Sequence, residues 1–208
     1  MKYLDKLKSK VRRNKKMILF LVGLMMVGFL AGSIFIALLK QTDQELIKEY
    51  LTTFMTNIET NHLDFISAFL NSIGSNLFLV LFIWLLGISV IGIPIILFLF
   101  FSKAFVLGFS ITSIILNYKL KGCLIAFFYI FPHHVINMMI YIMLLMYSLT
   151  VSFKIIRAML KKEAFDFKSI IKQYSRILVY SILGIFITTV FEIYATPFLL
   201  QTLLPFVK

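Results

Sequence analysis

Four long apolar stretches constrain the fold of this chain more than any other feature. They occupy residues 17–39, 77–101, 122–153 and 177–207, and only the last contains a charged residue. Each exceeds the roughly 20 residues that a helix needs to cross a bilayer, while a fifth stretch, 104–118, is marginal in length. With 61% hydrophobic and 14% charged residues, the 208-residue chain is too apolar for a soluble domain. The sequence therefore predicts an all-α, polytopic membrane helix bundle.

The charged residues are concentrated in three segments. Residues 1–16 have a net charge of +7 and residues 154–176 a net charge of +5, whereas residues 40–76 have a net charge of −3. Because Lys and Arg are enriched on the cytoplasmic side of membranes, we expect both basic segments to be cytoplasmic and the acidic segment external. The overall charge of +12 then reflects topology, and membrane lipids rather than nucleic acid are the expected contact.

These assignments predict about five spans, with a cytoplasmic N-terminus and an external C-terminus. The first apolar stretch is too long for the hydrophobic region of a signal peptide, so it is assigned as a permanent span. A basic segment, 1–16, precedes a membrane domain, 17–208. Within that domain we assign span 1 to 17–39, an external amphipathic loop to 40–76, two spans with a cytoplasmic turn to 77–118, a broken span 4 to 122–153, a basic cytoplasmic loop to 154–176 and span 5 to 177–207.

The external loop has the pattern of an amphipathic helix. Thr42 and Glu45 form a capping-box pair, and apolar residues then recur with helical period. A second short helix is predicted at 63–70. The first helix either rests on the outer membrane face or offers a docking surface to an external partner. The candidate partner surface is Tyr50, Leu51 and Phe54.

Glycine and proline at membrane depth predict several helix breaks. The breaks are assigned to Gly87, Gly92, Pro94, Pro132 and Pro197. Two positions are open for the turn between spans 2 and 3. If it lies near Gly92, Pro94 opens the next helix, and Lys103 lies in mid-helix where it could pair with Glu192. If it lies near Ser102 and Lys103, Pro94 kinks a long span and Lys103 lies at the cytoplasmic boundary.

Glu192 is the most costly residue within the apolar stretches. An acid near the middle of a spanning helix costs roughly 2.5–3.5 kcal/mol on insertion scales, so it normally has a partner. We expect Glu192 in the outer half of span 5, where it would brace the broken helix around Pro132 and Asn137, with Lys103 as a less favoured partner. His133 completes the predicted intramembrane polar set.

Catalytic, cofactor and metal sites are not predicted. His133 and His134 are adjacent, so their side chains diverge on a helix, unlike the i, i+4 pair of a zinc protease. Ser89, in Gly87-Ile-Ser89, faintly matches the serine motif of intramembrane proteases with His133 as a conceivable base, but no oxyanion device accompanies it. The expected protein is therefore not an enzyme.

The succession of motifs resembles a known family. It comprises a basic N-terminus and single span, an external helical loop, Trp84-x-x-Gly87 with Gly92-x-Pro94, Lys103 followed by Gly108, Phe131-Pro132-His133, and Phe191-Glu192-x-Tyr194-x-x-Pro197. In this order the chain resembles stage II sporulation protein M over almost its whole length. One departure is that relatives often have Pro-His-Gly with a glutamate four residues after the histidine, where this chain has His134 and Asn137.

The resemblance implies a function. Members of that family are polytopic membrane proteins without catalytic activity of their own, and the sporulation members act in engulfment of the forespore with two partners that degrade peptidoglycan. The implied role is a scaffold in the plasma membrane, in the mother-cell engulfing membrane during sporulation, that localises wall-degrading proteins on the external face. The alternative is a permease subunit of a membrane transporter, and the sequence leaves a homo-oligomer open.

Overall fold

The computed structural model describes residues 14–59, 64–161, 166–195 and 198, and within them the chain is helical, without strands. The six α-helices are α1 (Lys15–Ala37), α2 (Gln41–Glu59), α3 (Phe65–Leu86), α4 (Gly92–Ile125), α5 (Phe131–Lys161) and α6 (Phe167–Val190). A π turn, Ala126–Ile130, joins α4 to α5, and a second, Phe191–Ala195, continues α6. All except α2 are long and apolar enough to cross a membrane. The predicted all-α membrane class with five spans is confirmed.

Contacts between distant residues define the two ends of the bundle. At one end, Ser152 of α5 reaches Gly87, which follows α3, and α1 begins at Lys15. We call this the basic end. At the other end, Ser72 near the start of α3 contacts Glu192, and α2 packs on the second half of α4. We call this the α2 end. The charge pattern predicts that the basic end is cytoplasmic.

The turn between the second and third spans lies at residues 87–91. α3 ends at Leu86 and α4 begins at Gly92, which is the first of the two arrangements that the sequence left open. Pro94 falls in the first turn of α4, where its missing backbone N–H costs no helical hydrogen bond. Lys103 therefore lies about 17 Å along α4, deep within the span.

Side chains of the neighbouring helices satisfy the end of α3. The hydroxyl of Ser152 donates to the Gly87 carbonyl oxygen at 2.7 Å, and the hydroxyl of Tyr174 donates to that of Trp84 at 3.2 Å. A Cβ atom at Gly87 would collide with the hydroxyls of Ser148 and Tyr174. Glycine is required here because these donors must approach the backbone closely, and unsatisfied carbonyls are costly in a membrane.

Two of the predicted boundaries move because aspartates cap helices. Asp64 accepts hydrogen bonds from the Ser67 N–H at 3.1 Å and the Ser67 hydroxyl at 2.6 Å, and these bonds hold the pKa of Asp64 below its usual range. α3 thus begins at Phe65, and residues 65–76 belong to a span rather than to the external loop or a separate short helix. Asp166 caps α6 in the same way, accepting from the Ser169 N–H at 3.1 Å.

The predicted basic loop at 154–176 is largely helical. α5 continues to Lys161 and α6 begins at Phe167, so the two helices extend past the apolar stretches that were used to locate them. Periodicity of apolar residues marks the part of a helix in lipid, whereas capping residues mark where it ends.

The chain reverses direction at Lys119. This is the one non-glycine residue with positive φ, 53°, among those described. After it, Gly122 packs so closely on the Ile114 carbonyl that a Cβ atom would collide with it. The junction between the predicted third and fourth spans, at the end of 77–118 and the start of 122–153, is thus a sharp reversal within α4. The short helical segment after it leads through the π turn to α5, where Pro132 is the second residue.

α1 is attached to α4 through glycines. Cβ atoms at Gly32 and Gly108 would collide with the carbonyl groups of Phe105 and Phe29, and a Cβ at Gly28 would lie 2.8 Å from the Phe101 oxygen. Positions 28 and 32 of α1 match successive turns of α4 in increasing order, so the two helices are parallel. Small residues allow such close backbone approach in membranes.

We predict that Gly32→Ala lowers the free energy of unfolding by about 1–3 kcal/mol, because the added methyl group forces α1 away from α4. Gly23→Ala on the same helix is the matched control, since a Cβ there meets nothing within 4 Å. Unfolding by sodium dodecyl sulphate in mixed micelles measures both. Equal stabilities of the two variants would contradict the close α1–α4 packing.

Candidate functional site

Polar side chains from four spans meet between the middle of the membrane domain and the α2 end. We call this set the polar cluster. Its members are Ser72 and Asn76 from α3, Lys103 from α4, His133, Asn137 and Tyr141 from α5, and Thr188 and Glu192 from α6 and its π turn. The cluster includes the four intramembrane polar residues singled out in the sequence.

Glu192 connects α6 to α3 and α5. The hydroxyl of Ser72 donates to its Oε2 at 2.9 Å, and the Nε2 atom of His133 lies 3.9 Å from its Oε1. The His133 side chain is 4% exposed and that of Glu192 23% exposed. His133 directly follows Pro132, so Glu192 lies beside the broken part of α5. The structure does not pair it with Asn137.

Asn76 connects α3 to α4 and α5. Its side-chain oxygen accepts hydrogen bonds from the Lys103 ammonium group at 3.3 Å and from the Tyr141 hydroxyl at 2.9 Å. Asn76 and Tyr141 are buried. Lys103 also interacts electrostatically with Glu192, but its hydrogen bond is to the neutral amide. An amide oxygen has two lone pairs, and two donors from different helices use them here.

Asn137 connects α5 to α6. Its side-chain oxygen accepts a hydrogen bond from the Thr188 hydroxyl, and it is 4% exposed. A second buried carboxylate near Glu192 would raise the electrostatic cost of the cluster, whereas the neutral amide adds a link between helices without adding charge.

The geometry does not form a serine-protease triad. Ser72 donates to the Glu192 carboxylate, whereas a catalytic serine must contact the imidazole that takes its proton. The other conceivable serine, Ser89, lies at the basic end, where its carbonyl faces the Ser152 hydroxyl. On α5, Ser152 is about 28 Å from His133. Across the described ranges, no three His, Cys, Asp or Glu side chains gather into a metal-binding group.

The predicted helix breaks do not share one site. Gly87, Gly92 and Pro94 lie at the basic end, around the turn at 87–91. Pro132 lies beside the polar cluster, next to a π turn of the kind that accommodates a missing backbone donor. Pro197 lies outside the described residues.

Sequence reasoning missed Ser72, Asn76, Tyr141 and Thr188. A signal for them exists, because polar residues recur every four positions within three spans, which places them on one helical face. The three sets are Ser72 and Asn76, then His133, Asn137 and Tyr141, then Thr188 and Glu192. A single polar residue of this kind predicts nothing by itself, but the three sets together mark the sides of α3, α5 and α6 that face one another.

The three candidate partner-surface residues on α2 have different surroundings. Leu51 and Phe54 pack against the bundle beside Met55, Ile114 and neighbouring apolar residues. Tyr50 is 72% exposed. The apolar side of α2 therefore attaches the helix to the bundle, and the exposed apolar surface is Tyr50 together with Leu46.

The sequence of the chain matches a model of a known family. The family model described as Stage II sporulation protein M matches residues 17–197. The chain belongs to the stage II sporulation protein M family. The match contains the whole polar cluster and all of the five candidate spans except the first two residues of α1, and the predicted resemblance is confirmed. No curated protein and no solved structure matches the chain.

The polar cluster predicts energetic coupling between Asn76 and Lys103. Asn76→Leu leaves Lys103 and Tyr141 without their acceptor and should cost about 1–3 kcal/mol for each orphaned group. Lys103→Met removes one of those donors, so the double variant should be more stable than the sum of the single effects by about 0.5–3 kcal/mol. Unfolding in mixed micelles gives the four free energies.

The matched control cycle pairs Asn76→Leu with Ser102→Ala. Ser102 neighbours Lys103 but donates to Phe98 of its own helix, so these two changes should be additive. Additivity in both cycles would show that Asn76 does not support Lys103.

Proposed function

We propose that this protein is a non-enzymatic scaffold of the mother-cell engulfing membrane, which localises peptidoglycan-degrading proteins on the external face during engulfment. The proposal rests on membership of the stage II sporulation protein M family and on five spans that suit a multi-pass membrane protein. The observation that carries the docking role is the position of α2.

α2 is packed against the bundle on one side and exposes apolar side chains beside that contact. Leu51, Phe54 and Met55 attach it to the bundle, while Leu46 is 64% and Tyr50 72% exposed. Both exposed residues border a groove of about 290 Å³ between α2 and α4. An aromatic anchor next to a groove is typical of residues that dominate binding energy at interfaces. By the charge pattern, this surface lies on the external side, where wall-degrading proteins act.

The polar cluster supports the same surface. It ties α4, on which α2 packs, to α3 through the hydrogen bond from Lys103 to Asn76, and it links α3, α5 and the end of α6 to one another. A partner that binds α2 would therefore meet helices already held in place, and binding to a preorganised surface has a lower entropic cost.

We predict that Leu46→Glu and Tyr50→Glu each abolish co-purification of the peptidoglycan-degrading partners from sporulating cells, because a charge at an apolar contact is left desolvated. Membrane insertion should persist, because both side chains are largely exposed. Thr52→Glu is the control, since Thr52 is exposed on the opposite side of α2 and bonds only its own helix in the described structure. Retained co-purification in the Leu46 and Tyr50 variants would refute the docking surface.

A transporter subunit is the second candidate, because Lys103 and Glu192 lie together within the bundle and intramembrane charges often mark transport pathways. Glu192→Gln distinguishes the two. The amide can still accept from Ser72, so the scaffold predicts that partner localisation and engulfment persist. A transporter that uses the charge would lose substrate flux into vesicles. Loss of engulfment in a strain with a well-inserted Glu192→Gln variant would count against the scaffold.

A further inference from the structure

An apolar groove of about 830 Å³ lies between α1, α4 and α5, separate from the surface of α2. Its walls include Val22 and Met25 of α1, Leu107 of α4, and Met139 and Met143 of α5. Methionine side chains are flexible and adapt to irregular apolar partners. α1 is attached to α4 through its glycines, and the groove lies on the side of α1 that faces α5.

The groove is long enough to hold an acyl chain. Its lining runs from Ile18 to Phe29 along α1, about 16 Å, and from Phe131 to Tyr147 along α5, about 24 Å. An acyl chain spans one leaflet, about 15 Å of hydrocarbon, and is much thinner than a helix.

Basic side chains lie beyond the basic end of the groove, on the same helix faces as its lining residues. On α1, Lys15 precedes Ile18 and Val22 at steps of three and four residues, which places it on the groove side. On α5, Lys154 and Arg157 follow Met143 and Tyr147 on the same face by the same spacing. All three basic side chains are exposed. They extend the two walls toward the membrane surface.

We propose that this groove binds an anionic phospholipid, with acyl chain in the apolar groove and phosphate paired with Lys15, Lys154 and Arg157. The apolar walls would contact the acyl chain of the lipid. The basic residues would favour a negatively charged headgroup, since basic pockets between spans recognise anionic lipids. The site is independent of the scaffold function and of the orientation of the bundle.

The test is native mass spectrometry of the full-length protein, extracted in detergent and mixed with phosphatidylglycerol or phosphatidylcholine. Wild-type protein should retain phosphatidylglycerol preferentially. The triple variant Lys15→Gln, Lys154→Gln, Arg157→Gln should lower that retention about tenfold or more, since each basic residue near an anionic surface contributes about fivefold. The matched control, Lys168→Gln, Lys172→Gln, Arg176→Gln, removes the same charge from exposed positions of α6, outside the groove, and should retain wild-type binding.

A second pair of variants tests the apolar part of the site. Val22→Trp fills the groove and should abolish retention, whereas Val27→Trp, on a lipid-facing position of α1 that is 59% exposed, should not. Equal retention in the two charge variants, or in the two tryptophan variants, would overturn the proposal. So would a dimer that Val22→Trp dissociates while lipid retention stays unchanged, because the groove would then hold a second copy of the chain.

Discussion

The arrangement of the bundle depends on one constraint: a polar group at membrane depth must find its partner within the protein. α3 meets this demand at three levels. Ser72 near its start donates to Glu192, Asn76 in its middle accepts from Lys103 and Tyr141, and the carbonyl of Gly87 just after its end accepts from Ser152. Together these contacts fix α3 against α4, α5 and the end of α6, so a rotation or slide of the helix would expose a donor or an acceptor to lipid.

α1 is held by a different kind of contact. Its glycines let its backbone meet that of α4, where shape and dispersion replace polar links. Such contact occupies one narrow face and leaves the others to lipid. The groove beside α5 follows from this, because a helix fixed along one stripe does not close against a third helix. The polar cluster therefore determines how α3 to α6 pack, and the glycines determine where α1 leaves an opening.

The length and hydrophobicity of segments predicted most of the fold. The features that they missed depend on contacts between helices. The uncharged stretches located the five spans, since length and hydrophobicity decide what crosses a bilayer. They misplaced the start of α3, because the run from Leu77 ignores the cap that Asp64 provides thirteen residues earlier. Glu192 and His133 were singled out, yet Ser72 and Asn76 were not, although their spacing gives them one face. Which faces meet depends on helix rotation, and rotation is set by partners far away in the chain.

The charges of the polar cluster bear on what it does. Lys103 and Glu192 are residues of opposite charge type, and Asn137 supplies a neutral amide. Their neighbours Ser72, Asn76, Tyr141 and Thr188 are neutral and joined by hydrogen bonds. A relay that moves protons needs groups that exchange charge in sequence, whereas most members of this set, apart from His133 beside Glu192, are neutral donors and acceptors paired with one another. A set of fixed hydrogen bonds of this kind suits the proposed support for a docking surface better than a transport pathway.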